Sequence, residues 1–368
     1  MTKTKLYIHL STKRNEIMET IIGQRIKNSR IHKGLSLQEV AEKIGVSKQM
    51  INKYEQGKST PNSEKLIAFS KLFNQKIDYF FRKPEVIIGE INFRKKSKFS
   101  IKKVNSLKEE IRIQIENYLF IENICEVSNS FENPLQNNNI QSGHDVKNAV
   151  RSIRESWKLG QDAIQDCIEL LEDNHIKVIE ADDESGAFDG LATIIDVKYP
   201  IIVINKNMPI ERKRFTLLHE LGHLLLPITD LELKEQEKLC NVFASEMLLS
   251  EANIRNEFGE IRSRVSFEEL KNIQKKYGIS ISAIVYKLGE TKIMTQERVK
   301  KFYMSLNLNA ELKKTVEESR FESYEHSNRF ENLVYRAVSE ELISMSKASS
   351  LLQISLDQLK QNLMLTIK

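Results

Sequence analysis

The fold and the chemistry depend most on residues 209–227, which read PIERKRFTLLHELGHLLLP. Proline suits the start of a helix and opposes its continuation, so the two prolines predict one helix of about 17 residues. His219 and His223 are four residues apart, which places both imidazoles on one face of that helix. Their neighbours are mostly leucines, and a buried imidazole needs a partner to replace lost water. A metal ion is one such partner, and ordinary hydrogen bonds within a core are the other.

Together with Glu220, the two histidines form the pattern His-Glu-x-x-His, which predicts a zinc site. Catalytic zinc usually has three protein ligands, so a third must come from another element. The metzincin pattern is excluded, because Leu226 and Thr229 stand where that class requires glycine and histidine. The next predicted helix, at about 232–249, can supply a carboxylate instead. Its region offers four carboxylates, of which we favour the last: Asp230, Glu232, Glu235 and Glu237.

Glu237 is favoured because Asn241 follows it by one helical turn and can support a histidine ligand through a hydrogen bond. Bound Zn²⁺ lowers the pKa of its water toward about 7, and Glu220 lies where it can accept the released proton. The predicted reaction is peptide hydrolysis. Spacing does not identify the group that stabilises the oxyanion, and the candidates are Tyr199, His175, Arg212 and Arg214. We interpret Cys240 as a small packing residue.

Three segments around this motif resemble the ImmA/IrrE family of bacterial metallopeptidases, over roughly residues 145–290. They are FDGLATIID (188–196), the run from Pro200 to Leu226, and EKLCNVFASEMLLS (237–250). The resemblance implies zinc ligation by His219, His223 and Glu237, with Glu220 as the general base. It also implies a protein substrate, since known members cleave helix-turn-helix repressors. The chain departs from the family in having Cys240 in place of alanine and Ser250 in place of proline, and neither position bears on the metal chemistry.

Charge is distributed unevenly along the chain. Residues 1–83 carry 17 Lys and Arg against 7 Asp and Glu, and residues 84–103 carry 6 against 2. Because the whole chain has a net charge of +5, the remainder is strongly acidic. A basic N-terminal part on an acidic body indicates a polyanionic partner, although a solvated basic surface would give the same composition.

The segment 35–73 has helix-turn-helix features. Ser36 and Ser47 can each cap a helix, and Gly45 permits the tight turn between them. The segment resembles the Cro/C1-type, or XRE, repressor domain, in which the second of these helices enters the major groove of double-stranded operator DNA. A similar bundle used for protein contact is the alternative. The predicted DNA-binding residues are Gln38, Ser47, Lys48, Gln49, Asn52, Lys53 and Lys58. Such domains often dimerise to match paired half-sites, so a homodimer is among the expected states.

The predicted fold class is α+β, mainly α. It comprises an N-terminal five-helix helix-turn-helix domain, a zincin-like metallopeptidase domain with a small β-sheet, and a helical C-terminal region. The predicted divisions are an extension (1–20), the DNA-binding domain (21–83), a basic connector with a long helix (84–126), the peptidase domain (145–265) and the C-terminal region (266–368). β-like runs are expected at 176–180, 191–196 and 200–205, and helices at 145–158 and 161–173.

Three scattered cysteines and the absence of a secretory or membrane-spanning pattern predict a cytoplasmic protein without a membrane partner. The expected function is a DNA-binding regulator with zinc endopeptidase activity that cleaves a partner repressor or antitoxin. A non-proteolytic repressor or antitoxin, with the peptidase-like domain as a sensor or binding platform, is the alternative. The presence of Glu220 favours the enzyme, because metal ligation alone does not require it.

Overall fold

The computed structural model describes residues 3–82, 101–127, 131–184, 188–195 and 198–364, with side chains from Met18 onward except that of Ile101. These residues form two compact units, Met1–Phe120 and Ile121–Lys368. Most of the predicted basic connector lies outside the described residues. Nearly all of the described secondary structure is helical, with one three-stranded sheet, which confirms the predicted fold class.

The first unit is built from helices. They are α1 (Lys3–His32), α2 (Leu37–Ile44), α3 (Lys48–Glu55), α4 (Ser63–Phe73), a 3-10 helix (Ile77–Phe81) and α5 (Ile101–Ile124), whose last residues fall in the second unit. The predicted boundary at residue 20 falls within α1. The proposed division into five segments otherwise stays a prediction.

One face of helix α3 packs against its neighbouring helices. Its residues Ile51 and Tyr54 are buried, and the Tyr54 ring packs edge-on against Phe69 at 6.2 Å between centroids. At Gly23 of α1, an added Cβ would lie 2.3 Å from the Tyr54 carbonyl oxygen, so only glycine allows α1 to come this close. This packing leaves the opposite face of α3 exposed.

The second unit contains the sheet. Its strands are β1 (Lys177–Ala181), β2 (Gly190–Ile195) and β3 (Tyr199–Asn205), in the order β1-β3-β2. β1 pairs parallel to β3, whereas β2 pairs antiparallel to it with Leu191 opposite Val203. β3 is buried along nearly its whole length, as its run of branched apolar residues predicts. Among the described residues β2 has no second strand neighbour, so it forms an edge.

Helices make up the rest of this unit. They are α6 (Gly143–Ser156), α7 (Cys167–Asp173), α8 (Ile210–Leu225), α9 (Leu233–Leu248), α10 (Glu251–Phe258), α11 (Phe267–Tyr277) and α12 (Ile281–Glu290). The chain then continues through α13 (Gln296–Leu308), α14 (Ala310–Glu318), α15 (Arg329–Ser339), α16 (Met345–Leu352) and α17 (Leu356–Leu363). α11 and α12 contribute buried side chains to the main core, as expected for packing helices. No helix among the described residues has the length and apolar character to cross a membrane.

The prediction of a helix over 161–173 is wrong at its start. The helix begins only at Cys167, where the Asp166 side chain accepts a hydrogen bond from the Glu169 N–H at 2.9 Å. The preceding residues follow an irregular path, in which carbonyl oxygens accept hydrogen bonds from the distant side chains of Asn253 and Arg214.

Candidate metal centre and DNA-binding face

Helices α8 and α9 approach each other closely at Gly222. A Cβ added to Gly222 would lie 3.3 Å from the Cα, Cβ and Sγ atoms of Cys240. A glycine facing a small, fully buried cysteine therefore lets the two backbones come near each other. Glu237 precedes Cys240 by one turn, so this contact brings its carboxylate toward the histidines of α8.

The structure brings His219, His223 and Glu237 together. The two imidazole Nε2 atoms are 3.2 Å apart, and the Glu237 carboxylate oxygens lie 3.6 Å from Nε2 of His219 and 3.4 Å from Nε2 of His223. Tetrahedral zinc with ligand bonds near 2.0–2.1 Å requires donor separations of about 3.4 Å. The donor types and their separations therefore fit one Zn²⁺ ion.

Asn241 supports one of these imidazoles. Its Oδ1 lies 2.9 Å from Nδ1 of His219. The His219 residue is only 5% exposed. With the proton on Nδ1, the imidazole donates to Asn241 and keeps the Nε2 lone pair for a metal. The Phe215 ring stacks on the same imidazole at 6.5 Å between centroids. Ring orientation is thus constrained from two sides.

Glu220 is buried beside the start of the edge strand. A Cβ added to Gly190 would lie 3.3 Å from Cγ of Glu220, 2.9 Å from Cγ2 of Thr216 and 3.2 Å from the Val203 carbonyl oxygen. The strand therefore lies directly against the general-base candidate, and any larger residue at position 190 would displace one of these groups. The roles of Gly190 and Thr216 were not predicted, although Gly190 lies inside the segment FDGLATIID.

The carboxylates that competed with Glu237 are not part of this cluster. Within the described parts of the chain, the group of histidine, cysteine and acidic side chains able to share an ion consists of His219, His223 and Glu237. Glu235 instead forms an ion pair with Lys238 at 3.1 Å, and Glu232 is exposed at the start of α9.

Arg214, a candidate for oxyanion stabilisation, forms hydrogen bonds within the core. It is fully buried and forms an ion pair with Glu325, while its Nη2 donates to the Ile164 carbonyl at 2.6 Å. The Glu325 carboxylate also accepts from the Cys167 N–H at 3.0 Å. Burial raises the pKa of Glu325 to about 7, although Arg214 opposes that shift.

The other oxyanion candidates lie in different surroundings. His175 has a positive φ of 63° just after α7 ends, and Tyr199 opens β3 with the Lys177 ammonium 5.2 Å from its ring centroid. Arg212 forms an ion pair with Asp189 at 2.6 Å, at the entrance to β2. Among the described residues, none of the three forms a hydrogen bond or an ion pair with His219, His223 or Glu237, so the oxyanion group stays unassigned.

The seven predicted DNA-binding residues are all exposed in the first unit. Ser47 caps α3, where its Oγ accepts from the Met50 N–H at 3.1 Å, and Lys48, Gln49, Asn52 and Lys53 follow on that helix. Gln38 donates to Glu42 at 2.9 Å on α2. The guanidinium of Arg30 binds both carboxylate oxygens of Glu55, at 2.6 and 2.9 Å, and so holds α3 to α1. An exposed polar face on a fixed helix suits entry into a DNA groove.

Family models match two parts of the chain. A helix-turn-helix model matches residues 26–80, and the IrrE N-terminal-like domain model of the M78 peptidase family matches residues 171–289. The second match includes α11 and α12 and so extends past the domain end predicted at residue 265. The chain therefore carries a helix-turn-helix domain followed by an IrrE-like domain, as the sequence patterns predicted.

The curated relatives match the chain in a short segment. An uncharacterized HTH-type transcriptional regulator of Rickettsia prowazekii is 38% identical over 72 residues, which are 19% of this chain and 55% of that protein. The HTH-type transcriptional regulator ImmR of Bacillus subtilis is 32% identical over 65 residues, 18% of this chain and 51% of that protein. The chain thus spans about half the length of these relatives.

The solved structures found are similar to the chain only at low identity. One of them is the apo form of the competence regulator ComR from Streptococcus vestibularis, which is 13% identical and covers 94% of this chain and 98% of that chain. The TM-score of 0.17 is too low to indicate a shared fold.

Proposed function

We propose that this chain, with its helix-turn-helix domain and its M78-type domain, is a transcriptional regulator that is also a zinc-dependent endopeptidase. The observation that carries the proposal is the arrangement of His219, His223 and Glu237 at zinc-ligand separations, with Glu220 next to them on α8. The proposed substrate is a partner repressor or antitoxin, whose cleavage relieves repression.

Each residue has a distinct proposed task. The two imidazoles and the Glu237 carboxylate hold the ion, and the Asn241 amide fixes the His219 ring by its hydrogen bond. When bound, Zn²⁺ supplies Lewis-acid polarisation of a peptide carbonyl and lowers the pKa of water. Glu220 takes up the proton of the attacking water and delivers it to the leaving amine. Glu220 is buried, which limits competing water around its carboxylate and strengthens these interactions.

The helix-turn-helix domain is proposed to bring the chain to its own operator. Exposed lysine and amide side chains on α3 provide groups that bind phosphates and base edges. Locating the peptidase-like domain at the promoter raises the local concentration of a repressor bound there. Cleavage would then act on the regulator that controls the same gene.

The decisive experiment incubates the purified, zinc-loaded chain with the repressor encoded by the neighbouring gene and identifies products by mass spectrometry. We expect one defined cleavage that disappears in Glu220→Gln while that variant keeps its zinc, because Glu220 is not a ligand. Glu232→Gln is the matched control, since Glu232 is an exposed carboxylate outside the metal cluster. No Glu220-dependent product, together with normal gene regulation by Glu220→Gln, would favour the non-proteolytic platform instead.

A further inference from the structure

One charged side chain lies on the metal-binding face of α8 without belonging to the metal cluster. In a helix with 3.6 residues per turn, positions 212, 216, 219 and 223 fall within an arc of about 60°. Arg212 thus shares the face of His219 and His223, nearer the start of the helix. The adjacent cations Lys213 and Arg214 are buried in ion pairs with Glu180 and Glu325.

The guanidinium of Arg212 is anchored at one nitrogen. Its Nη2 donates to Oδ1 of Asp189 at 2.6 Å, and the Arg212 side chain has no other hydrogen bond to a described residue. The Asp189 backbone is itself fixed, because its carbonyl oxygen accepts from the Asn205 N–H at 3.0 Å. Arginine carries five N–H donors, so the Asp189 contact leaves donors for another acceptor. The side chain of Arg212 is 54% exposed, which makes those donors accessible.

Arg212 also binds the residue that directly precedes β2, the strand next to Glu220. Gly190 follows Asp189 directly, and a Cβ added to it would lie 2.9 Å from Cγ2 of Thr216 and 3.3 Å from Cγ of Glu220. The chain entering β2 therefore passes Arg212 first and the general-base candidate next. An extended peptide lying beside this edge strand, along the metal face of α8, would pass both groups.

We propose that Arg212, oriented by Asp189, is a specificity-determining residue that binds an acidic side chain of the peptide substrate. This inference rests on the proposed peptidase function and adds the class of substrate. Arg212 precedes His219 by seven residues and His223 by eleven, so it lies about 13–14 Å along the helix from the point midway between the two ligands. At about 3.3 Å per extended residue, the acidic residue is about four positions from the scissile bond.

The test uses a synthetic library of twelve-residue peptides with randomised sequence, incubated with the zinc-loaded full chain. Mass spectrometry then gives the residue preferences around each cleaved bond. We expect Asp and Glu to be favoured about four positions from that bond. The expected preference is about fivefold, which is the size of one partly exposed ion pair. Arg212→Ala should abolish the preference, and Arg212→Glu should replace it with a preference for Lys and Arg.

Arg264→Ala is the matched control, because Arg264 is an exposed arginine of the same unit with no ion pair to a described residue. Glu220-dependent cleavage without an acidic preference, or a preference that survives Arg212→Ala, would overturn this inference and leave the proposed function intact. A wild-type chain that cleaves no peptide would count against the proposed function.

A second readout does not need cleavage. Zinc-loaded Glu220→Gln protein is immobilised, exposed to the same library, and the retained peptides are sequenced. Enrichment of acidic peptides that is lost in the Glu220→Gln, Arg212→Ala double variant supports the inference. Retention without acidic enrichment, or no retention at all, contradicts it.

Discussion

Replacement of Asn241 by alanine tests how the candidate metal centre is organised. Asn241 Oδ1 lies 2.9 Å from Nδ1 of His219, and this contact favours the tautomer that leaves Nε2 for the metal. In Asn241→Ala, the ring can rotate and its Nδ1–H must find water. We therefore expect weaker zinc binding, although all three ligands remain.

The magnitude follows from the exposure of the two partners. Loss of a residue that supports a metal-bound histidine typically weakens metal affinity by about 10- to 100-fold. His219 is buried, but Asn241 is exposed, so water can replace part of the lost hydrogen bond. We expect the low end of that range, about tenfold, which corresponds to about 1.4 kcal/mol.

Competition with a chromophoric zinc chelator measures this affinity directly. Asn241→Asp keeps an acceptor and should bind zinc at least as tightly as the unaltered chain. Asn332→Ala is the matched control, since Asn332 is an exposed helical asparagine of the same unit whose side chain has no hydrogen bond to a described residue. Unchanged affinity in Asn241→Ala, or an equal loss in both alanine variants, would refute the reasoning.

Three further predictions follow, and the single tryptophan, Trp157, allows two of them to be followed by fluorescence during urea unfolding of the second unit. Gly222→Val should lower the free energy of unfolding by about 1–3 kcal/mol through overpacking against Cys240, and an unchanged urea midpoint would contradict this. The pKa of Glu325 is raised to about 7 from 4.5, so its contribution to stability is full below pH 4.5 and is lost as the pH rises through 7. In the unaltered chain this loss amounts to up to about 3 kcal/mol of the free energy of unfolding between pH 5 and 8. Glu325→Gln cannot ionise, so its free energy of unfolding should not show this loss. The same pH dependence in both proteins would be inconsistent with the raised pKa. Lys53→Ala should reduce the slope of log K for operator binding against log salt concentration by about 0.9, as measured by fluorescence anisotropy. An unchanged slope would show that Lys53 contacts no phosphate.

The structure brings the three predicted ligands together on helices that lie close to their predicted positions, because the sequence signals for these helices are local. The spacing of His219 and His223 alone sets a common face, and the flanking prolines place α8 to within two residues of its observed bounds. The expected β-like runs coincide with β1, β2 and β3 to within a residue or so, since apolar branched runs between turn residues are typical of buried strands.

Features that depend on contacts between distant segments were not predictable. The irregular path of residues 161–166 is fixed by long-range hydrogen bonds, such as those from Arg214 to the carbonyl oxygens of Ile164 and Gln165. The helical periodicity of the sequence does not indicate such long-range bonds, so the predicted helix began too early. The ion pair between Arg212 and Asp189 joins α8 to the residue before β2, and residue spacing in the sequence does not predict it.

Extended X-ray absorption at the zinc edge, on the purified chain loaded with one equivalent of Zn²⁺, distinguishes the proposed zinc site from a hydrogen-bonded group of side chains without metal. We expect one tightly bound ion whose protein ligands are two imidazoles and one carboxylate, at about 2.0–2.2 Å. His219→Ala, His223→Ala and Glu237→Gln should each lose the ion, whereas Glu220→Gln should retain it. Substoichiometric zinc, sulfur scattering near 2.3 Å, or retention of the same spectrum after loss of either histidine would contradict the account.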